Sequence, residues 1–350
     1  MKTVVVGLSG GVDSSVAAYL LKEQGYNVIG LHMRGENEET REQDEQRVKE
    51  LCATLGIECV VVDYANHMQK VKEYFINEYL SGRTPNPCVV CNKEVKFKPF
   101  LEYAKQLGAD YFATGHYAKV EHMENGKHLL KKAVDSSKDQ SYFLCKLSQE
   151  QISKVLFPLG ELAKSQVKKI AQENNLVSPT TKESYDICFL GSQKFKDFMK
   201  ENYPEKNGNI VDVKTNKILG EHTGVSKYTI GQRRGLNLGG KNGYEDSRWF
   251  VIDKDVKTNT LFVSCGEGEE LFSSSCVVEN FNWITPPPAQ NFNAFVKVRY
   301  RQPDQTTNVE VQENGNVVLH FQEPQRAVTR GQFAVLYAED GMCFGGGVIR

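Results

Sequence analysis

At 350 residues, with 40% hydrophobic and 25% charged residues, 29 Gly and 11 Pro, the chain is long enough for two or three domains with ordinary apolar cores and lies outside fibrous, disordered and membrane compositions. Its 43 Lys+Arg and 44 Asp+Glu leave a net charge of −1, so a nucleic-acid partner has to be held by a local basic face rather than by the field of the whole molecule. No apolar run approaches the roughly 18 residues of a membrane span, and Met1-Lys2 leads straight into Val4-Val5-Val6, which gives no sign of a secretory signal. The expectation is a cytoplasmic protein off the membrane, whose nine cysteines serve cores, metal or chemistry rather than a disulfide framework.

In chain order, strand and helix signals alternate: strand Val4–Leu8, helix Asp13–Gln24, strand Asn27–Met33, helix Glu38–Leu55, strand Glu58–Tyr64, helices Asn66–Leu80 and Lys93–Leu107, strand Tyr111–Thr114. This rhythm predicts an α/β unit with a mainly parallel, doubly wound sheet. Ala118–Val134 alternates around Glu124-Asn125-Gly126 as a hairpin, and helices are expected at Gln149–Leu156 and Lys164–Asn174. The polar stretch Asn202–Asn209 suits a linker. Beyond it the alternating segments Trp249–Asp253, Thr260–Ser264, Phe295–Tyr300, Val317–Phe321 and Phe333–Tyr337 read as all-β, with Pro286-Pro287-Pro288 as a stiff boundary between two units. The expected division is 1–203, 204–284 and 285–350.

The strongest local signal is Gly7-Leu8-Ser9-Gly10-Gly11-Val12-Asp13-Ser14, placed after the first strand and opening the first helix. Glycines there let the backbone close on an anion, while the helix N-terminus stabilises phosphate charge. No Lys precedes Ser14, so it is not a Walker loop, and the glycine spacing is not that of dinucleotide binders. A glycine turn with a helix cap is the plainer alternative. Cys88 and Cys91 form a Cys-x-x-Cys inside Gly82–Asn92, ahead of a basic helix with Lys93, Lys96 and Lys98, surroundings that favour thiolates. Half a zinc site or plain core cysteines remain open readings. Cys188, among apolar Ile187, Phe189 and Leu190, reads by itself as core.

The Ser-Gly-Gly-Val-Asp-Ser string resembles the PP-loop of ATP pyrophosphatases, which transfer AMP to a substrate oxygen. Gly82–Asn92, Ala113–His116, Lys138–Phe143, Ile187–Gly191, Tyr228–Gly235, Val298–Arg301 and Gly345–Gly347 together resemble, in order over essentially the whole chain, the bacterial tRNA-specific 2-thiouridylase (MnmA) family within that superfamily. The resemblance implies a Rossmann-like domain of the adenine nucleotide alpha hydrolase type, followed by two small all-β units, a central tRNA-binding one and a terminal β-barrel. It implies a tRNA-uridine 2-sulfurtransferase that adenylates the 2-oxygen of the wobble uridine and replaces it with sulfur, releasing AMP and pyrophosphate.

Carried over by position, Gly7, Leu8, Ser9, Gly10, Gly11, Val12, Asp13 and Ser14 with Met33 and Gly115 would bind ATP with Mg²⁺. Cys91 would be the nucleophile and Cys188 the persulfide carrier, the two forming a redox pair. Asn86, Pro87 and Cys88 match the base-contacting segment; His116, Lys138, Asp139, Gln140, Arg299, Tyr300 and Gln332 match tRNA-contacting positions. The implied partners are tRNAs of the Lys, Glu and Gln type and an upstream persulfide donor or relay protein. Many relatives have Asp where this chain has Cys88. Thiolation through an iron–sulfur cluster of the 4Fe–4S type on Cys88, Cys91 and Cys188 is therefore a second route. A PP-loop ligase or amidotransferase, which does not need Cys91 and Cys188 together, and an ATP-gated RNA-binding module are the competing classes.

Overall fold

The computed structural model describes residues 1–34, 38–63, 65–176, 187–190, 193, 195–203, 205–238 and 248–350. Its first unit is built from β1 (Thr3–Gly7), α1 (Val12–Glu23), β2 (Asn27–Arg34), α2 (Glu38–Leu55), β3 (Glu58–Asp63) and α3 (Ala65–Leu80). A helical rod follows: α4 (Pro87–Val90), a π-helical stretch Cys91–Phe97 and α5 (Lys98–Gln106). Then come β4 (Tyr111–Ala113), the hairpin β5 (Ala118–His122) and β6 (His128–Lys132), α6 (Gln149–Ser153), β7 (Val155–Leu156) and α7 (Lys164–Glu173).

The sheet runs β3-β2-β1-β4-β7 with every pairing parallel. Successive residues of a strand point to opposite faces, so Val4 and Val6 enter one core with α1 and α2, while Val5 enters the other with Phe97, Phe100 and Phe112. The strand order reverses beside β1, which opens a crevice at the carboxyl ends of β1 and β4. The helix expected over Gln149–Leu156 ends at Ser153. Val155 and Leu156 instead pair with Phe112 and Ala113, because the sheet edge offers the β-branched Val155 a ladder.

After α8 (Phe195–Asn202), β8 (Gly208–Asp212), β9 (Ile218–His222), β10 (Trp249–Asp255) and β11 (Thr260–Cys265) form a sheet in the order β10-β11-β8-β9. Its core is Ile210, Trp249, Val251, Leu261 and Val263. The last six strands, β12 (Phe272–Trp283), β13 (Asn291–Lys297), β14 (Gln305–Val311), β15 (Val317–Arg326), β16 (Phe333–Tyr337) and β17 (Cys343–Ile349), close an antiparallel barrel in the order β12-β15-β14-β13-β16-β17. Phe272–Trp283, which the boundary at 284/285 gives to the central unit, pairs with β15 and β17 as part of this barrel. The triple proline lies in the β12–β13 connection rather than between units.

Glycines let β17 pass where a side chain has no room. A Cβ on Gly345, at φ +132°, would lie 1.8 Å from the Asn282 carbonyl oxygen, and one on Gly346 would lie 2.9 Å from Cys145 Sγ of the first unit. The barrel is welded to that unit: Ile284, Phe333, Val335, Tyr337 and Cys343 share one apolar core with Tyr142, Leu144, Cys145 and Leu147. Tyr142 Oη donates to the Phe333 carbonyl at 2.9 Å, and Asn282 Nδ2 donates to the carbonyls of Cys145 and Leu147 at 3.0 and 2.9 Å. Among the described residues no helix is long and apolar enough to cross a membrane.

Candidate functional site

The Gly7–Ser14 loop leaves β1 at the crevice. Gly10 adopts φ +75°, a conformation that costs glycine little. Ser14 Oγ accepts the Ser9 N–H at 3.2 Å and donates to the Gly11 carbonyl at 3.1 Å, which folds the loop back on the first turn of α1. Gly115, just past β4, packs on that turn so closely that a Cβ would lie 2.7 Å from the Asp13 carbonyl carbon. The loop forms one end of a cleft of about 1010 Å³.

Beside it, Asp13 is held by Lys164, whose Nζ lies 2.7 and 2.8 Å from the two carboxylate oxygens, and by Tyr117, whose Oη donates to Oδ1 at 2.8 Å. Tyr117 is in turn paired in both directions with Gln140: its N–H donates to Gln140 Oε1 at 3.0 Å, and its carbonyl accepts the Gln140 N–H at 2.8 Å. The cleft continues past Lys138, Asp139 and Gln140 to Cys88, Phe143 and Tyr300, and ends on barrel residues Lys297 and Arg301–Asp304. Phe143 and Tyr300 stack at 4.2 Å between ring centroids. Six basic side chains, Arg47, Lys132, Lys138, Lys164, Lys297 and Arg301, line the cleft against Asp13, Asp44, Asp139 and Asp304, giving the local positive excess that the neutral chain needs to hold an anionic partner.

Cys88 is exposed in the first turn of α4. Cys91 is 6% exposed, at the start of the π-helical stretch, and packs with Met68, Val71 and Val95. The Cys188 side chain lies outside the described residues, but Cys188–Leu190 form a short 3₁₀ turn and its neighbour Phe189 packs against the Cys91 cluster. Phe189 also stands 5.2 Å edge-on to Phe75, so the Ile187–Leu190 segment and the Cys91 helix share one apolar wall. Burial pushes the Cys52 and Cys145 thiols up to about 12, which marks them as core thiols.

The cleft thus brings together Ser9, Gly10, Gly11, Val12, Asp13, Cys88, Lys138, Asp139, Gln140 and Tyr300. Of these, Asp139 is only 4% exposed; it accepts the Ala133 N–H at 3.0 Å and the Ser141 hydroxyl at 2.8 Å, and burial raises its carboxyl above the usual range. The remaining expected site residues, among the described ones, do not line the cleft. Arg299 donates to the carbonyls of Ile230 and Ala327 at 3.0 and 2.8 Å and to Thr329 Oγ1 at 2.6 Å, tying the central unit to the barrel. Gln332 Nε2 reaches the carbonyls of Thr84 and Pro85 at 2.8 and 3.2 Å and so holds the cysteine loop, where Asn86 precedes the buried Pro87. The His116 ring lies between Phe97 and Phe157, and Thr114 Oγ1 is 2.7 Å from its Nδ1. Burial, then the Lys96 charge, holds the imidazole well below its usual range. Met33, next to last in β2, packs against the Cys91 cluster. Sequence reasoning assigns no role to Lys164, Tyr117, Lys132, Lys297 or Asp304, which the fold delivers from distant positions. Arg233 and Arg234 are exposed on the central unit, beside a smaller hollow of about 200 Å³ that Arg233 lines.

Residues 2–192 match a family model described as the tRNA methyl transferase HUP domain, 196–265 the tRNA methyl transferase PRC-barrel domain, and 273–349 the aminomethyltransferase beta-barrel domain. The chain is 46% identical over 358 residues to a tRNA-specific 2-thiouridylase MnmA of Idiomarina loihiensis, covering 99% of this chain and 96% of the relative. It is 45% identical over 357 residues to the MnmA of Francisella tularensis subsp. novicida, covering 99% of each. Among solved structures, a U34-tRNA thiolase, NcsA from Methanococcus maripaludis, is 21% identical with a TM-score of 0.36 over 58% of this chain and 67% of that one, a likeness too slight to carry an argument. Near-complete coverage by relatives of one kind, on a fold with a PP-loop unit, a central β unit and a closed barrel, shows that the chain belongs to the tRNA-specific 2-thiouridylase (MnmA) family.

Proposed function

We propose that this protein is an ATP-dependent tRNA-uridine 2-sulfurtransferase, acting in the cytoplasm on the wobble uridine of tRNAs of the Lys, Glu and Gln type. The observation that carries the reading is one cleft lined both by an anion-type glycine loop and by Cys88, one helical turn ahead of Cys91, with stacked Phe143 and Tyr300 on the same wall. Methyl transfer, which the family-model descriptions name, does not call for a loop that binds a triphosphate.

The residues fit the groups this reaction needs. The glycine backbone at Gly10–Gly11 and the α1 N-terminus suit a triphosphate, and the Asp13 carboxylate with the Ser9 and Ser14 hydroxyls offers the hard oxygen donors that Mg²⁺ takes. ATP turns a poor leaving group, a carbonyl oxygen, into a good one: uridine O2 bonds to the α-phosphorus and pyrophosphate leaves. Phe143 and Tyr300 give a base extruded from its stack an aromatic wall. Lys138, Lys297 and Arg301 face the phosphates of its backbone.

The terminal sulfur of a Cys188 persulfide, delivered by an upstream donor protein, then attacks C2, and AMP departs with the oxygen. The Cys91 thiolate attacks the inner sulfur of Cys188, so that 2-thiouridine is released and a Cys91–Cys188 disulfide is left for a two-electron reductant. The packing of Phe189 on the Cys91 cluster supports this pairing. Cys88, lining the cleft, favours one second reading, in which three thiols hold an iron–sulfur cluster.

The test incubates anaerobically purified protein with ATP–Mg²⁺, a ³⁴S-labelled persulfide donor and unmodified tRNA, followed by nucleoside mass spectrometry and an iron assay. Labelled 2-thiouridine that needs Cys91 and Cys188, without bound iron, is the expected result. Stoichiometric iron, with activity lost in Cys88→Asp, selects the cluster. Turnover unaffected by Cys188→Ser overturns sulfur transfer through that residue in favour of a ligase.

A further inference from the structure

The ion pair between Asp13 and Lys164 sits where a purely structural pair has least reason to be. Buried ion pairs contribute little to stability on balance, because desolvation offsets attraction. This one forms part of the cleft wall beside Ser9–Val12, with the Lys164 side chain 11% exposed and that of Asp13 35% exposed. The lysine backbone is anchored separately, its N–H donating to Asp135 Oδ2 at 2.9 Å at the first turn of α7. Its stem can therefore swing without moving the helix. A triphosphate seated on the loop brings several negative charges against the Asp13 carboxylate, so some cation has to stand between them.

We propose that Lys164 is the placeholder cation of the nucleotide site. In the nucleotide-free protein its ammonium occupies Asp13. When a divalent metal–nucleoside triphosphate enters, the metal takes the carboxylate and the Lys164 ammonium turns to the phosphates. The step exchanges two cations on one carboxylate and changes no covalent bond. It rests on the ATP reading above and adds Lys164 to it as a phosphate-positioning residue. Tyr117, whose hydroxyl stays on Oδ1, keeps the carboxylate in place during the exchange.

The arrangement makes two affinities move in opposite directions when the lysine is removed. Mn²⁺ is the probe, followed by paramagnetic resonance in the nucleotide-free full-length protein, and ATP binding in excess Mg²⁺ is followed by calorimetry. Lys164→Met keeps the apolar stem and bares Asp13. It is expected to bind Mn²⁺ at least tenfold more tightly than the wild type, to lose that gain in Lys164→Met with Asp13→Asn, and to bind ATP at least tenfold more weakly. A merely structural pair would lower both affinities together, with the melting temperature, and that outcome overturns the proposal. Equal ATP binding by wild type and Lys164→Met overturns the exchange alone; a wild type that binds no ATP overturns the nucleotide reading and the exchange with it.

Discussion

Gly115→Ala tests whether the contact between β4 and α1 sets the nucleotide loop. The added Cβ would lie 2.7 Å from the Asp13 carbonyl carbon, 2.8 Å from the Ser14 nitrogen and 3.0 Å from the Asp13 oxygen. Ordinary contact begins near 3.4 Å, and all three atoms are backbone, so the loop and the β4 end have to part by about 0.7 Å. Overpacking of this kind costs about 1–3 kcal/mol, or a melting-temperature drop of about 2–12 °C for a unit of this size. The same shift stretches an N–H···O bond from about 2.9 Å to about 3.6 Å, beyond useful length. One charge-assisted bond lost is about 1.5–3 kcal/mol, or roughly 10- to 150-fold in ATP affinity. Calorimetric titration with ATP–Mg²⁺, alongside melting curves with and without nucleotide, reads both numbers. Gly108→Ala is the control, since its φ of +67° strains any other residue but a Cβ there meets nothing within 4 Å. Wild-type ATP affinity in Gly115→Ala, or an equal affinity loss in Gly108→Ala, refutes the reasoning.

Gln332→Ala removes the two hydrogen bonds from the barrel to the Thr84 and Pro85 carbonyls. At about 1 kcal/mol each, amide hydrogen exchange over Asn86–Cys91 should rise up to roughly thirtyfold with ATP affinity unchanged. Burial keeps His116 neutral in the fold, well below the 6.5 of a free imidazole. Its contribution is therefore full above about pH 6.5 and lost as the pH falls, at up to about 1.4 kcal/mol per unit. His116→Asn should flatten the stability curve below about pH 6.5, measured by denaturant titration. Lys254, 8% exposed, donates to the Tyr228 carbonyl at 2.7 Å and is pulled by burial from 10.5 to about 8, so its folded state bears a cost that grows as the pH drops from 10.5 to 8 and is constant below. Lys254→Met should stabilise the protein at pH 7 by on the order of 1–3 kcal/mol, with the gain shrinking toward pH 10; a gain independent of pH contradicts this.

The parts of the fold legible in the sequence are those whose signal is local. Gly7–Ser14 announces itself because glycines, a preceding strand and a helix start fall within a dozen residues, and period-2 alternation separates Val4 and Val6 from Val5. The strand Cys343–Ile349 is silent because Gly345-Gly346-Gly347 has no β propensity; its conformation is dictated by the close passage past Asn282 and Cys145, which only the folded barrel creates. Lys164 lies 151 positions from the carboxylate it grips, so no spacing rule connects them. Arg299 shows the same limit: its Nη2 donates to the oxygens of Ile230, Ala327 and Thr329, partners at least 28 positions away that no local pattern announces. At Asp139, one buried carboxylate organises the segment whose neighbours Lys138 and Gln140 face the cleft.

The loop and the thiols differ in the way the proposed chemistry requires. At the loop end Tyr117 holds the Asp13 carboxylate and Lys164 stands beside it, so the charges that meet a triphosphate are in place before the adenylation step. On the thiol side Cys91 lies among Met68, Val71 and Val95, where water has little access. Loss of a reactive sulfur to solvent is disfavoured there, and attack on a neighbouring sulfur needs no shell of water to be stripped. The barrel completes the wall: Tyr300 stacks on Phe143, Gln332 holds the loop that presents Cys88, and Tyr337 lies 3.1 Å from the Ser141 hydroxyl that donates to Asp139. In the proposed reaction the base would enter between barrel and PP-loop unit, so the shared apolar core of the barrel and the nucleotide-binding sheet would hold both walls of that entry in register.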